Sequence, residues 1–333
     1  MHRVSTALRL PREINERLDR EAESREVSIQ SSDVLGSGIL PERLKPLIRR
    51  KSHQANDRTA KLSEDLAETN LDLVEPDPQS GKRPKRLDIV RDTQFQLKRC
   101  LAIINYVEEA FKPIINAGRR PALLEVGAGY LYVTTALRWA LGLSFELYAI
   151  EHPARRYLNL EGFERRVGEQ QIKFQTADII SDQVPWSETT FDVIVLAEVI
   201  EHLPPTDLPG VLEKLASRLS KGGCLILSSP NLPALYRIAS LAFGRGEIFN
   251  PPLPLAYAPE TYGHIRLYGK ADLLTLMDYA KLKIDKWTYL NWEVGYVPHS
   301  AWSQRVAYAG QLTIPRALPH LSTSWMCSAK PKS

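Results

Sequence analysis

The sequence predicts an α/β protein: a doubly wound, seven-stranded, mostly parallel sheet, preceded by a charged N-terminal extension. Three observations carry that expectation. Short apolar runs rich in Val, Ile and Leu alternate with segments of helical period from Ala122 to Ser229, the pattern of parallel strands buried on both faces. The first run ends in a glycine turn, Glu125-Val126-Gly127-Ala128-Gly129, that feeds a helical pattern. Polar residues, mostly acidic, close the early strands, at the edge where an open parallel sheet gathers its ligands.

Composition bounds the rest. With 333 residues, 44% hydrophobic and 25% charged, the chain is globular and long enough for one good core with appendages. A formal net charge of +4 is mild for this size and gives no argument for a nucleic-acid partner. No apolar run reaches the roughly eighteen residues of a membrane-spanning helix. The start, Met1-His2-Arg3-Val4-Ser5, lacks the apolar stretch of a signal peptide. Cys100, Cys224 and Cys327 are widely spaced, with no CxxC pair. They read as buried thiols in a reducing compartment, so the expected location is the cytoplasm.

Residues 1–85 are dense in interspersed Arg, Lys, Glu and Asp, and are expected to be largely flexible. One piece is patterned. Val4 to Leu10 alternates, Pro11 stops it, and Ile14, Leu18 and Ala22 recur at helical spacing. This strand–helix opening resembles a ribbon-helix-helix DNA-binding module. However, Gly36 and Gly38 fall where the second helix of that family should run, each costing about 1 kcal/mol against alanine.

The second domain is expected over 86–333. An apolar stripe of Leu87, Val90, Leu97, Leu101, Ile104 and Phe111 predicts a helix from Arg86 to Ala117, ended by Gly118. Strands are expected at Ala122–Val126, Phe145–Glu151, Ile172–Ala177, Phe191–Ala197, Cys224–Ser229, Ile284–Trp292 and Ser324–Ala329. Helices are expected near Val133–Leu141, Tyr157–Val167, Leu208–Leu219 and Lys270–Tyr279. The segment between the last two strands is too short and irregular for a crossover, which points to antiparallel pairing there.

The site residues follow from strand ends. Gly127 and Gly129 permit positive φ and a close ligand, and the helix after them aims its first N–H groups over the turn. Glu151 ends the second strand, and a carboxylate accepting two hydrogen bonds suits a vicinal diol. Asp178 and Ile179 follow the third strand, where Asp178 can accept from an exocyclic amine. The fourth runs into Glu198-Val199-Ile200-Glu201-His202, where helical spacing would put Glu198 and Glu201 on one face with His202 beside them.

In this order and spacing, the chain resembles a class I S-adenosylmethionine-dependent methyltransferase from roughly Leu123 to Ile284. The resemblance implies the Rossmann-like methyltransferase fold with S-adenosyl-L-methionine as cofactor. It implies Glu125, Gly127 and Gly129 at the methionine and ribose end, Glu151 on the ribose, Asp178 with Ile179 around the adenine, and Glu198 bordering the site. Where the family often has a third glycine, this chain has Leu131. Tyr132 is a candidate wall near the sulfonium, or a packing aromatic.

The acceptor is narrowed by elimination. No Pro-Pro-aromatic motif follows the fourth strand, as it does in enzymes that methylate base nitrogens. Cys224 lies inside a strand without the preceding proline of the cytosine-carbon enzymes. An oxygen acceptor remains: a hydroxyl of a small molecule, a glycan or a lipid-linked precursor. Strings near-identical to Glu-x-x-Glu-His occur in ubiquinone-pathway O-methyltransferases and in small-RNA 2′-O-methyltransferases. That likeness implies a divalent cation, Mg2+, held by Glu198, Glu201, His202 and His264. Without a metal, His202 or His264 is the natural general base, since imidazole titrates near neutrality. Insertions near 231–263 and 294–321, with Tyr257, Tyr262 and Trp302, are expected to cover the crevice and select the acceptor. Two readings of other classes stand beside this one: a nucleic-acid-binding protein anchored through residues 1–35, and an inert methyltransferase-like scaffold.

Overall fold

A computed structural model of the chain describes residues 62, 66, 86–242, 263–291, 310–311 and 313–332, with backbone only at 86–95, 156 and 240. The chain divides into two compact units, Met1–Ala60 and Lys61–Ser333. The strand–helix piece expected in residues 1–35 lies outside the described residues, as do Tyr257, Tyr262 and Trp302. The second unit begins before residue 86: Leu62 and Leu66 are fully buried in the same apolar cluster as Ile103 and Val107.

Helix α1 (Arg86–Asn116) buries Leu97, Cys100, Ile103, Ile104, Val107 and Phe111. These recur at the three- and four-residue spacing of one helical face. It packs on helix α2 (Tyr132–Leu141) and on two strands, β4 (Phe191–Ala197) and β5 (Leu219–Pro230). The remaining strands are β1 (Ala122–Val126), β2 (Glu146–Glu151), β3 (Ile172–Thr176), β6 (Leu282–Leu290) and β7 (Ser324–Pro331).

The seven strands lie in the order β3-β2-β1-β4-β5-β7-β6. The first five are parallel to their neighbours, whereas β7 runs antiparallel to both β5 and β6. Side chains alternate as the pleat requires. Leu123, Val193, Val195 and Ile226 enter one apolar layer under α1 and α2. Leu124, Ile194, Leu196 and Leu227 enter the opposite one. The chain leaves β1 toward β2 on one side, while β4 flanks it on the other. The strand order therefore reverses at β1 and β4, and a crevice opens beyond their C-terminal ends.

Several elements differ from expectation. Strand β5 starts at Leu219, five residues before the anticipated Cys224. Its pairing with β4 shifts register between Phe191 and Val193, around Gly222 at φ 83°. The helix expected over Tyr157–Val167 is a short 3-10 turn (Arg156–Asn159) followed by helix α3 (Glu161–Glu169). Leu160 between them is extended, and Glu161 and Glu164 then fill the favourable first turn of α3. Helix α4 (Leu208–Ala216) is as expected but for a shorter end. Within the insertion expected near 231–263, helix α5 (Leu235–Ala242) forms. Helix α6 (Lys270–Tyr279) starts where Asp272 accepts a hydrogen bond from the Gly269 N–H at 3.0 Å. Among the described residues, no helix is long and apolar enough to cross a membrane.

The N-terminal edge of the sheet is closed by saturated charges. Asp192 is 2% exposed, and its carboxylate accepts from Arg119 Nη1 (2.8 Å) and Nη2 (2.5 Å), Ser220 Oγ (2.6 Å) and the Ala122 N–H (2.9 Å). Against its burial, those donors hold the Asp192 carboxyl below the usual carboxylate range.

Candidate functional site

At the other edge, the turn after β1 is built tightly. The N–H groups of Gly127 and Ala128 donate to the Ile150 carbonyl at 2.9 and 3.1 Å, which pins the turn to the end of β2. Gly127 has φ 76°, and a Cβ there would stand 2.6 Å from Val199 Cγ2. Glycine is therefore required twice, by backbone angle and by space. A Cβ on Gly129, at φ 55°, would meet only the Gly127 carbonyl oxygen, 4.0 Å away. Leu131 keeps φ 61°, the left-handed angle a glycine adopts freely, while its side chain is fully buried. The backbone shape survives the substitution, and burial of the leucine offsets a strain of about 1–2 kcal/mol.

Glu151 locks this turn to β2. Its Oε2 accepts from the Gly129 N–H (2.7 Å) and the Tyr157 hydroxyl (2.9 Å), and its Oε1 from the His152 N–H (2.6 Å). Arg155 Nε lies 3.5 Å from Oε1. Tyr130 and Tyr157 pack against each other, rings tilted by 39° with centroids 4.6 Å apart. Tyr132 is 9% exposed, sits in the apolar cluster and meets Tyr130 edge-on, so it packs.

Glu125 is 2% exposed and its Oε2 has no hydrogen-bond partner. Burial holds its carboxyl well above the ordinary range; the Arg99 charge opposes this and the Glu151 charge adds to it. Asp178 folds back on its own loop, accepting from the Ile180 N–H at 2.9 Å and the Ser181 hydroxyl at 2.9 Å. Despite some desolvation, these bonds hold it below the usual value. Each of its oxygens keeps a second lone pair. Ile179 is buried, and Lys214 on α4 fixes that loop by donating to the carbonyls of Ile179, Ile180 and Asp182.

The string after β4 is not helical as expected. Glu198 takes φ 59°, and Ile200–His202 forms a single 3-10 turn. Glu198 and Glu201 consequently do not share a helix face. Glu198 Oε1 accepts from the Ser228 hydroxyl (2.9 Å), and its Oε2 lies 4.0 Å from Arg99 Nη1. Glu201 is fully buried, and neither of its carboxylate oxygens has a hydrogen-bond partner. Burial, then the Glu198 charge, hold Glu201 well above the usual range.

The Glu201 carbonyl accepts from the N–H groups of Ile265 and Arg266, which brings His264 beside His202, ring centroids 5.0 Å apart. One donor atom each from Glu201, His202 and His264 lies within 4.8 Å of the others. The fourth expected ligand, Glu198, stands outside that group, engaged with Ser228 and Arg99. His202 Nδ1 is 3.2 Å from the Gly263 carbonyl oxygen. A carbonyl only accepts, so Nδ1 is the donor of that contact. Burial, reinforced by His202 and Arg237, pushes His264 down to about 4.

Sequence reasoning overlooked Arg99, Tyr157, Ser228 and Lys214. Arg99 was legible only as a cation inside the apolar stripe of α1.

A family model described as a methyltransferase domain matches residues 92–286, more than half of the chain. The hybrid PKS-NRPS synthetase lepA of Aspergillus flavus is 27% identical over 162 residues, 46% of this chain. The matched region spans only 4% of that curated relative's length. Among solved structures, the chain is similar to magnesium protoporphyrin IX methyltransferase (ChlM) from Synechocystis PCC 6803 with bound SAH. The identity is 12% and the TM-score 0.46, with 86% of this chain and 100% of that one covered. It is also similar to an S-adenosylmethionine-dependent methyltransferase from Clostridium acetobutylicum ATCC 824, at 13% identity and TM-score 0.41, covering 64% of this chain and 84% of that one.

Proposed function

Starting from the chain's membership of the S-adenosylmethionine-dependent methyltransferase family, we propose that it methylates a hydroxyl oxygen of a small molecule or glycan. The observation that carries the oxygen reading is the placing of His202: its Nδ1 lies 3.2 Å from the Gly263 carbonyl oxygen, beyond the end of β4, which assigns the accepting role to Nε2. Cys224 supports no nucleophilic alternative, because it is buried in β5 and burial pushes its thiol up to about 11.

The residues around the turn fit the cofactor. Gly129 leaves room where a side chain would stand, Glu125 Oε2 is an unsatisfied buried acceptor, and Glu151 is already oriented by three donors. In this reading Glu151 takes one ribose hydroxyl with the lone pair left on Oε1. Glu125, Gly127 and Gly129 line the methionine end. Asp178 and Ile179 border the adenine.

Bound S-adenosylmethionine supplies a methyl group already activated on a sulfonium sulfur. The chain's task is to align the acceptor oxygen with it and to remove one proton. His202 Nε2 accepts that proton as the oxygen–carbon bond forms and the sulfur–carbon bond breaks. His264, with its depressed basicity, is the poorer base and positions His202 or the acceptor instead.

The cluster of Glu201, His202 and His264 supports a second reading, a cation-assisted site. Both unsatisfied Glu201 oxygens and the two imidazoles are of suitable ligand type. One carboxylate with two imidazoles suits manganese, iron or zinc rather than Mg2+, which prefers an oxygen shell. Three buried free thiols support a reducing compartment, hence the cytoplasm.

The test is transfer of an isotopically labelled methyl from S-adenosylmethionine to a panel of phenols, sugar alcohols and amines, with chelator or with added Mn2+. Ether products, lost in His202→Gln, are the expected outcome. Labelled amines without ethers would overturn the oxygen reading, and loss of transfer only under chelation would select the cation-assisted one.

A further inference from the structure

Helix α5 brings an arginine to the histidine side of the crevice. Asn231, just beyond β5, pairs in parallel with Tyr268, and its side-chain amide donates to the carbonyls of His320 and Ser322 at 2.8 Å each. The Ala234 N–H donates back to the Asn231 carbonyl, and the Tyr236 N–H donates to Gln311 Oε1 at 3.1 Å. The first turn of α5 is thereby tied to the strip that carries His264, whose next two residues donate to the Glu201 carbonyl. Arg237, the third residue of α5, is half-buried at this junction, and its charge is felt at His264.

Two other half-buried arginines are saturated. Arg138 donates to the carbonyls of Gln170, Gly142, Phe145 and Gln171. Arg218 donates to those of Val184, Pro185, Trp186 and Thr189. Both hold loops together, and that accounts for them. Arg237 differs. Its Nε is buried with no hydrogen-bond partner, and its guanidinium carbon lies 4.9 Å from the centroid of the neighbouring Tyr236 ring. Among the described residues it donates no hydrogen bond and pairs with no carboxylate, Glu201 included. A ring face attracts the charge but offers no lone pair to the N–H groups of the fork. Leaving a buried guanidinium donor unsatisfied is costly, so the position calls for an acceptor from outside the chain.

We propose that Arg237 selects a methyl acceptor that carries an anionic group, a carboxylate or a phosphate ester, in addition to the hydroxyl that is methylated. This rests on the hydroxyl reading above and deepens it by naming the acceptor's charge. The hydroxyl meets His202 Nε2, and the acidic group of the same molecule meets the guanidinium. The planar fork takes either anion through two parallel N–H···O bonds, which fixes the direction of the acceptor as well as its place; lysine supplies the charge without that geometry. Arg237 touches no reacting atom. It decides which acceptor binds and in what pose, and leaves the proton to His202.

The experiment titrates the full chain, saturated with S-adenosylhomocysteine, with two pairs of probes in a calorimeter: salicylate against salicyl alcohol, and glycerophosphate against glycerol. In wild type, at least one anionic probe is expected to bind about tenfold or more tightly than its neutral partner. The pair that shows the preference tells a carboxylate from a phosphate. Arg237→Gln is expected to abolish the preference while keeping wild-type affinity for the neutral probe and for S-adenosylhomocysteine. Arg237→Lys is expected to fall between the two, and it serves as the folded variant should Arg237→Gln not fold. For an anionic probe that is turned over, KM should rise in Arg237→Gln with kcat unchanged. The proposal is overturned if wild type prefers neither anion, or if the preference survives Arg237→Gln. It is equally overturned if the anionic and neutral probes weaken in parallel, which is the signature of a purely structural arginine. An anion preference that Arg237→Gln abolishes, in a chain that methylates only amines, would uphold the role of Arg237 and remove the oxygen reading alone.

Discussion

Asp192 and Glu125 are equally buried, each 2% exposed, yet they live opposite lives at the two edges of one sheet. At the N-terminal edge, Asp192 satisfies both oxygens with Arg119, Ser220 and a backbone N–H, and its acidity is strengthened. At the C-terminal edge, Glu125 and Glu201 keep orphaned oxygens, and their acidity is weakened. Burial alone does not tell these three acids apart; the completeness of their hydrogen bonding does, while Glu151, also at the C-terminal edge, is held by three donors. The paired edge holds the strands in place. The unpaired edge retains the capacity to bind something that brings its own positive charge.

Glycine substitutions break the contrast most severely. Gly127→Ala combines a left-handed backbone with the 2.6 Å approach to Val199, and is expected to cost about 2–5 kcal/mol. Gly222 has the same backbone problem, φ 83°, with nothing within 4 Å, so Gly222→Ala should cost only about 1–2 kcal/mol. Denaturant unfolding of the two variants separates the steric component from the backbone one. Equal losses would mean that Val199 moves aside.

Acid substitutions come next. Asp192→Asn is expected to destabilise by about 1–3 kcal/mol without altering cofactor affinity, a range that allows for the solvent exposure of Arg119. Glu201→Gln is expected to leave stability unchanged or raised, and to reduce methyl transfer at least tenfold. Their pH profiles have opposite sign. The folded-state acidity of Asp192 is stronger than in the unfolded chain, so its contribution is present above the ordinary carboxylate pKa of about 3.9 and fades as pH falls through the lower folded value. Glu201 is shifted upward, so wild type and Glu201→Gln should match at low pH. Wild type should then lose ground as pH rises from the ordinary glutamate value of about 4.3 toward the raised folded one. Thermal melts across pH check both.

The smallest effect concerns His264. Its ring should titrate at about 4 in histidine-selective NMR, and Arg237→Gln should raise that value, since the Arg237 charge contributes to the depression. A ring titrating near 6.5, the unperturbed value, would contradict the burial described for the site.

The fold was legible because its signals are local and repeated. Apolar runs such as Phe191–Ala197 leave little alternative to a buried parallel strand; the last two strands pair antiparallel as expected, although the connection between Leu290 and Ser324 is long enough for a crossover. The glycine turn and Glu151 were legible for the same reason. What lay hidden depended on contacts distant in sequence. Glu198 and Glu201 read as one helix face, but the left-handed angle at Glu198 is set by the Ser228 strand beside it. Helix α5 hid in a proline-rich stretch. Leu131 looked like a departure from a glycine pattern, although the backbone angle is retained and the side chain is absorbed into the core. Arg99 was obscured by its apolar neighbours on α1.

Calorimetric titration of S-adenosylhomocysteine into wild type, Glu151→Ala and Asp192→Asn compares the two edges in one assay. One ligand per chain should bind wild type and Asp192→Asn alike, and Glu151→Ala about 10–100-fold more weakly, or about 1.4–2.8 kcal/mol. A Glu151→Ala chain that bound as tightly as wild type would mean that the acids at the C-terminal edge do not cradle the cofactor.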